Sequence, residues 1–290
     1  MHRFEELDGL RAFAILGVLY THFVNDNSML GSLGVQLFFV LSGFLITGIL
    51  LRGRGLIEAG ESNVSTVLKS FYVRRALRIL PVYYLCLLCL GLAGSQEVRE
   101  QIWWHATFNS NMLFVFMPFT DVTAHFWTLA VEEQFYIFWP AIILLAPRKH
   151  LLTILLAIIA IAPIYRLLAG FLLGFAHNAV GIVTIACLDS LGIGALLAYV
   201  GSDDRKRGIL LNAGLWSLPV PLLVALFGTA DYIVLLNTFC ALAFAWMIDC
   251  SVRGSSERGA FGLSAIPRSR EHRCCELRSL RVPSCCRQAR

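Results

Sequence analysis

The sequence predicts an all-α fold, a polytopic transmembrane helix bundle, and three observations predict it. Hydrophobic residues make up 57% of the 290-residue chain and charged residues only 15%, with a mean hydropathy of +0.69. That is more apolar surface than a water-soluble core can bury. Apolar runs of about twenty residues, the length that crosses ~30 Å of hydrocarbon, recur along the chain. The basic residues gather in short clusters between those runs, so the net charge of +5 reports membrane orientation and gives no nucleic-acid footprint.

The first element, Leu7 to Phe23, reads LDGLRAFAILGVLYTHF. Glu5, Glu6 and Asp8 precede it and no small-x-small site follows, so it is expected to be retained and not cleaved as a signal peptide. Arg11 stands at its entry and His22 near its exit. Eleven residues at 100° each bring both onto one face, about 16 Å apart along the axis. The loop Asn25, Asp26, Asn27 carries no Lys or Arg and belongs outside, which puts the N-terminus in the cytoplasm. Residues 33–51 return inward, with Gly34, Ser42 and Gly43 small enough to admit another backbone. The segment 52–78 holds Arg52, Arg54, Lys69, Arg74, Arg75 and Arg78 and is cytoplasmic, and FYVRRALRILPVYY leads into the third span with Pro81 near its start.

The stretch 95–125 is apolar but cut by His105, Asn109 and Asn111. If it spanned, the later basic clusters at Arg148 and Lys149 and at residues 205–207 would both fall outside, so it is expected to lie in the outer interface or re-enter. Spans follow at about 126–146, 151–171, 179–200, 209–228 and 231–249, making eight with both termini cytoplasmic. Residues 1–252 form one membrane domain and 253–290 an Arg- and Cys-rich cytoplasmic tail. Cys86, Cys89, Cys187 and Cys240 lie in apolar runs and Cys250 at the end of one, where buried thiols are expected in place of a metal or redox pair.

The polar groups inside the spans carry the candidate chemistry. Glu132 and Glu133 fall in FWTLAVEEQFYIFWP, beside Gln134 and Tyr136, and Asp189 falls in CLDSLGIGALLA. A carboxylate in hydrocarbon must be paired or wetted, so each is expected to face the bundle interior. His22 and Glu132 fall at similar outer depth in this topology, and Glu132 accepting one imidazole N–H would make the other nitrogen a better base; the alternative is a structural pair locking two helices. On the cytoplasmic side Arg11 is expected to join Arg74, Arg75 and Arg78. Arg74 and Arg78, one turn apart, would form a fork for phosphates with Arg75 turned away, unless they only hold topology or touch anionic lipid.

Taken together, LDGLRAFAILGVLYTHF, GSLGVQLFFVLSGFLIT, FYVRRALRILPVYY, HFWTLAVEEQFYIFWP and CLDSLGIGALLA resemble the bacterial membrane acyltransferase-3 family over residues 7 to about 200. The resemblance implies a ten-span domain in the bacterial cytoplasmic membrane. That domain moves an acyl group, usually acetyl, from cytoplasmic acyl-coenzyme A to a hydroxyl of an exported carbohydrate or lipid-linked glycan. It places the family's Arg-x10-His pair on Arg11 and His22, its RxxR motif on Arg75 and Arg78, and its glutamate on Glu132. The chain departs from the pattern at Cys187, where the family often has an arginine two residues before the aspartate corresponding to Asp189. Arg11, Arg75 and Arg78 would hold the donor diphosphate, and His22 would act as general base or as nucleophile. No cofactor or metal is implied, acyl-coenzyme A being a substrate. The rival reading is a proton-coupled transporter or flippase in which His22, Glu132 and Asp189 relay protons.

The resemblance stops before residues 262–290, LSAIPRSREHRCCELRSLRVPSCCRQAR, where the family's last two spans are expected. Codons permitted for Arg273 to Ser284, read one nucleotide later, allow the family's missing G-x-x-S-Y-x-x-Y-x-x-H-like motif. A frameshift between about Phe261 and His272 is therefore expected, with a disordered tail and eight of ten spans, which would leave activity weak or absent.

Overall fold

The computed structural model describes residues 5–26, 28–118, 122–172, 180–201, 203–227 and 235–264. Every regular element among them is helical. The helices are α1 (Glu5–Phe23), α2 (Leu30–Glu58), α3 (Val64–Leu92), the short α4 (Gln96–Glu100), α5 (Ile102–Ala106) and α6 (Ser110–Phe116), then α7 (Phe126–Leu145), α8 (Arg148–Arg166), α9 (Leu188–Val200), α10 (Asp204–Ser217), α11 (Pro219–Phe227) and α12 (Leu236–Ser264). A π-helical turn, Leu167–Leu172, extends α8 past Pro163, and a 3-10 turn, Thr184–Cys187, leads into α9. A π turn beyond a proline re-satisfies carbonyls that the ring leaves without a donor.

Five helical segments, Leu30–Glu58, Val64–Leu92, Phe126–Leu145, Arg148–Gly170 and Asp204–Val224, are long and apolar enough to cross a membrane. They match five of the eight expected spans; the other three fall on α1, on the shorter Thr184–Val200 and on α12. The amphipathic approach FYVRRALRILPVYY and the third expected span form one helix, which starts where Asn63 caps α3 by accepting from the Thr66 N–H at 2.8 Å and has Pro81 in its interior. The stretch 95–125 does not form one span. It breaks into α4, α5 and α6, with Ser95 capping the first and Phe108 in the left-handed region at φ 54°. Residues 253–264 continue α12, whereas the rest of the Arg- and Cys-rich segment lies outside the described residues.

Loops and ion pairs set the bundle's two ends. The Thr21 hydroxyl donates to the Ser28 carbonyl at 3.1 Å and accepts from the Gly31 N–H at 2.8 Å, closing α1 onto α2 at what we term the His22 end. At the opposite, Glu58 end, Arg54 donates to the carbonyls of Ile143 and Ala146 at 2.7 and 2.8 Å, covering the last turn of α7. Glu58 there accepts from Arg54 and from Arg148 at 3.0 and 2.8 Å. Those hydrogen bonds, Arg148 first, hold the Glu58 carboxyl below its ordinary 4.5.

The core lies where α2 crosses α9 antiparallel. A Cβ at Gly43 would collide with the Leu191 carbonyl, and one at Gly194 with the Val40 carbonyl, so the two backbones touch only because both positions are glycine. Gly34 does the same for α1, where a Cβ would sit 2.5 Å from the Ala14 oxygen. The small residues read in 33–51 thus have named partners. By contrast α3 is peripheral, its only buried residues being Phe71, Tyr83 and Leu87. Cys86 and Cys89 consequently face outward, as does Cys250, and only Cys187 and Cys240 are the buried thiols expected from the sequence.

Candidate functional site

The site forms where α2, α3 and α7 meet. Glu132 and Tyr136 are one turn apart on α7, so they share a face. The Ser42 hydroxyl on α2 donates to Glu132 Oε1 at 2.6 Å, and the Tyr136 hydroxyl donates to Oε2 at 2.9 Å. Across from them, the Arg75 guanidinium on α3 lies over the Tyr136 ring, 4.1 Å from its centroid. The charges of Arg75 and Arg11 both act on the Glu132 carboxylate. Arg11 is itself half-buried and paired with Asp8 at 2.7 Å. Glu133 is next to this cluster, with Oε1 buried and unpartnered and the Arg75 charge acting on it.

Glu132 therefore keeps company with the arginines and not with His22. The expected imidazole contact does not form: Glu132 accepts from the Ser42 and Tyr136 hydroxyls, and Arg11, whose charge the carboxylate feels, is about 16 Å from His22 along α1. His22 stands exposed in the last turn of α1. Its electrostatic neighbour is His125, the N-cap residue of α7, whose imidazole is held below its ordinary 6.5 by desolvation and then by the charge of His22. His125 carries one signal in the sequence, that of a histidine just before an apolar run.

The four arginines do not converge. Arg75 lies over the Tyr136 ring and Arg11 is half-buried, while Arg74 and Arg78 are exposed on α3. Arg74 and Arg78 do share a face at i and i+4, and the face is an outer one.

Gln134 belongs to a separate polar layer that fixes the short helices. Its amide donates to the Phe108 carbonyl at 2.9 Å and to Asn111 Oδ1 at 3.0 Å, and the Thr184 hydroxyl donates to its carbonyl oxygen. Beneath it, His105 is fully buried, with Nδ1 2.8 Å from the Ser110 hydroxyl and Nε2 without a partner. Burial holds this imidazole below 6.5.

Asp189 is fully buried and fully engaged. It pairs with Arg166 at 2.6 Å, accepts from the Thr238 hydroxyl at 2.6 Å and from the Ser190 N–H at 2.9 Å, and so ties α8, α9 and α12 together. Arg166 also donates to the Ala186 carbonyl at 2.8 Å. Position 187 is a cysteine, and the arginine that pairs with Asp189 is Arg166 of α8, a residue whose only sequence signal was a lone charge inside an apolar run. With its oxygens so occupied, and with no Glu132 link to His22, Asp189 does not complete the proton relay that a transporter needs. Among the described residues no group of three His, Cys, Asp or Glu side chains is placed to hold a metal ion.

The family model described as an acyltransferase domain matches residues 4–258. A protein of Staphylococcus aureus (strain COL) provisionally named as an O-acetyltransferase is 33% identical over 234 residues, 72% of this chain and 34% of its own. The peptidoglycan O-acetyltransferase of Listeria monocytogenes is 33% identical over 154 residues, 48% of this chain and 24% of its own. A Bacillus subtilis protein provisionally named as a peptidoglycan O-acetyltransferase is 36% identical over 150 residues, 46% of this chain and 23% of its own. The chain spans about a third or less of the length of these curated relatives. No solved structure matches it.

Proposed function

The chain belongs to the acyltransferase-3 family, and from that premise we propose that it is a multi-pass membrane O-acyltransferase, with its N-terminus and Glu58 end in the cytoplasm of a bacterial cell. The donor is acyl-coenzyme A, most simply acetyl, and the acceptor is a hydroxyl of a cell-surface carbohydrate such as the peptidoglycan named for two relatives. One observation carries the reading. Arg75 lies over the Tyr136 ring beside Glu132, the half-buried Arg11 acts on the same carboxylate through its charge, and the helix that bears Arg11 carries His22 in its last turn. A phosphate-binding pair and a titratable imidazole are thereby joined by one face of α1, along which an extended pantetheine arm would run.

In this mechanism Arg11 and Arg75 bind donor phosphates, with Arg78 at the entry. His22 takes the proton from the acceptor hydroxyl as the new ester C–O bond forms and the thioester C–S bond breaks. The proton then leaves with the coenzyme A thiolate. An acyl-imidazole on His22 is the alternative course, and it would appear as label retained on the protein when acceptor is withheld.

The test is transfer by the full chain in proteoliposomes, with radiolabelled acetyl-coenzyme A on one side and soluble peptidoglycan fragments on the other. Labelled ester on the glycan, lost in His22→Ala, is the expected result. Uptake of solute driven by a pH gradient, with no ester formed, would return the protein to the transporter class.

A further inference from the structure

We infer that Tyr136 and Ser42 are positioning residues that hold Glu132 and Arg75 as one unit, so that carboxylate and guanidinium meet the substrate in a single arrangement. The inference rests on the acyl-transfer reading for its kinetics but not for its geometry.

Tyr136 uses its two halves separately. Its hydroxyl donates to Glu132 Oε2 at 2.9 Å, and its ring face carries the Arg75 guanidinium at 4.1 Å. At 2% exposure the side chain has no freedom to do one without the other. Ser42 holds the second carboxylate oxygen at 2.6 Å from a third helix. Each Glu132 oxygen therefore spends one lone pair inside the protein and keeps one for a donor on the substrate. Residues of α2, α3 and α7 all take part, and α3 buries only Phe71, Tyr83 and Leu87 elsewhere. The Tyr72 hydroxyl, donating to the Ile137 carbonyl at 2.8 Å, holds the α3 backbone against α7, and the Tyr136 ring then sets the Arg75 side chain beside Glu132. Sequence alone marks Ser42 as a small packing residue; the hydrogen bond gives it a second role.

Two variants separate the parts. Tyr136→Phe keeps the ring beneath Arg75 and removes the hydroxyl from Glu132, whereas Tyr136→Leu removes both. With the full chain in nanodiscs, Tyr136→Phe and Ser42→Ala are expected to lower kcat about tenfold, the rate equivalent of a hydrogen bond to a charged group, with little change in KM for acetyl-coenzyme A. Tyr136→Leu is expected to add a several-fold rise in that KM as Arg75 loses its platform. A purely structural role would reduce the folded yield and leave both constants of the folded fraction unchanged. Infrared spectra supply a readout that needs no turnover: the carboxylate bands that vanish in Glu132→Gln should shift in Ser42→Ala and Tyr136→Phe. An active wild type with bands and kinetic constants unmoved in these variants overturns the inference and leaves the acyl-transfer reading intact. An inactive wild type whose bands do shift upholds the positioning unit and sinks the acyl-transfer reading; bands that stay put in an inactive protein sink both.

Discussion

A carboxylate inside a membrane helix costs several kcal/mol unless charge and hydrogen bonds meet it, and Glu132 and Asp189 meet that cost differently. Asp189 has a direct ion pair and two further donors, which leave it nothing to offer a substrate. Glu132 has two hydroxyl donors and cations close by, which hold it in place and leave it able to act. Residue-level predictions follow this difference. His22→Ala should abolish transfer of label from acetyl-coenzyme A while membrane insertion, read by fractionation, is unchanged, because removing an exposed polar group from a helix end does not hinder insertion. His105 should make the protein acid-sensitive. Its folded-state proton affinity lies below the ordinary 6.5, so the unfolded chain binds the proton first and stability falls as pH drops from about 6.5 toward the folded value. Thermal melts in detergent between pH 8 and pH 5 should show this slope in wild type and a shallower one in His105→Gln, the remainder coming from His125.

At the scale of elements, close helix crossings and buried ion pairs locate the weak points. Gly43→Leu places a side chain against the Leu191 carbonyl and should destabilise the α2 and α9 crossing by at least about 1–3 kcal/mol, the usual cost of overpacking. Gel filtration of the detergent-solubilised variant should show aggregation where wild type is monodisperse. Arg166→Ala strands Asp189 as an uncompensated buried charge, at about 3–5 kcal/mol. Adding Asp189→Asn should recover part of that loss, since the second substitution removes the stranded charge; a melt in which the double variant is no better than the single one would count against the pair as the lock of α8, α9 and α12.

The whole molecule is polarised end to end. Arg54, Glu58 and Arg148 close one end, and Arg207 and Asp249 pair between α10 and α12, while at the other end the charge of His22 acts on His125. Transfer should therefore be sided. In right-side-out vesicles with the Glu58 end inside, acetyl-coenzyme A loaded in the lumen should label an external glycan, and acetyl-coenzyme A added only outside should not. Arg75→Ala and Arg78→Ala should raise the KM for acetyl-coenzyme A more than they lower kcat, and the larger effect is expected for Arg75, which faces the interior.

Much of this was legible in one dimension. Hydropathy over twenty residues gave the class, because crossing hydrocarbon demands apolar length whatever the fold. That 95–125 would not span followed from the two basic clusters after it, which would otherwise fall outside. Gly34 and Gly43 announced close crossings, Arg11, His22 and Glu132 stood out as polar groups that apolar packing does not require, and Arg75, read by helix period as turned away, was marked only by the family resemblance. Pairing was not legible, since it depends on which faces three helices turn toward one another. Only the tertiary structure gave Glu132 to the Ser42 and Tyr136 hydroxyls and withheld it from His22, turned Arg74 and Arg78 outward, and paired Asp189 with Arg166 from another helix. A single helix pattern fixes depth and face to within a turn, and a hydrogen bond is decided within a few tenths of an ångström.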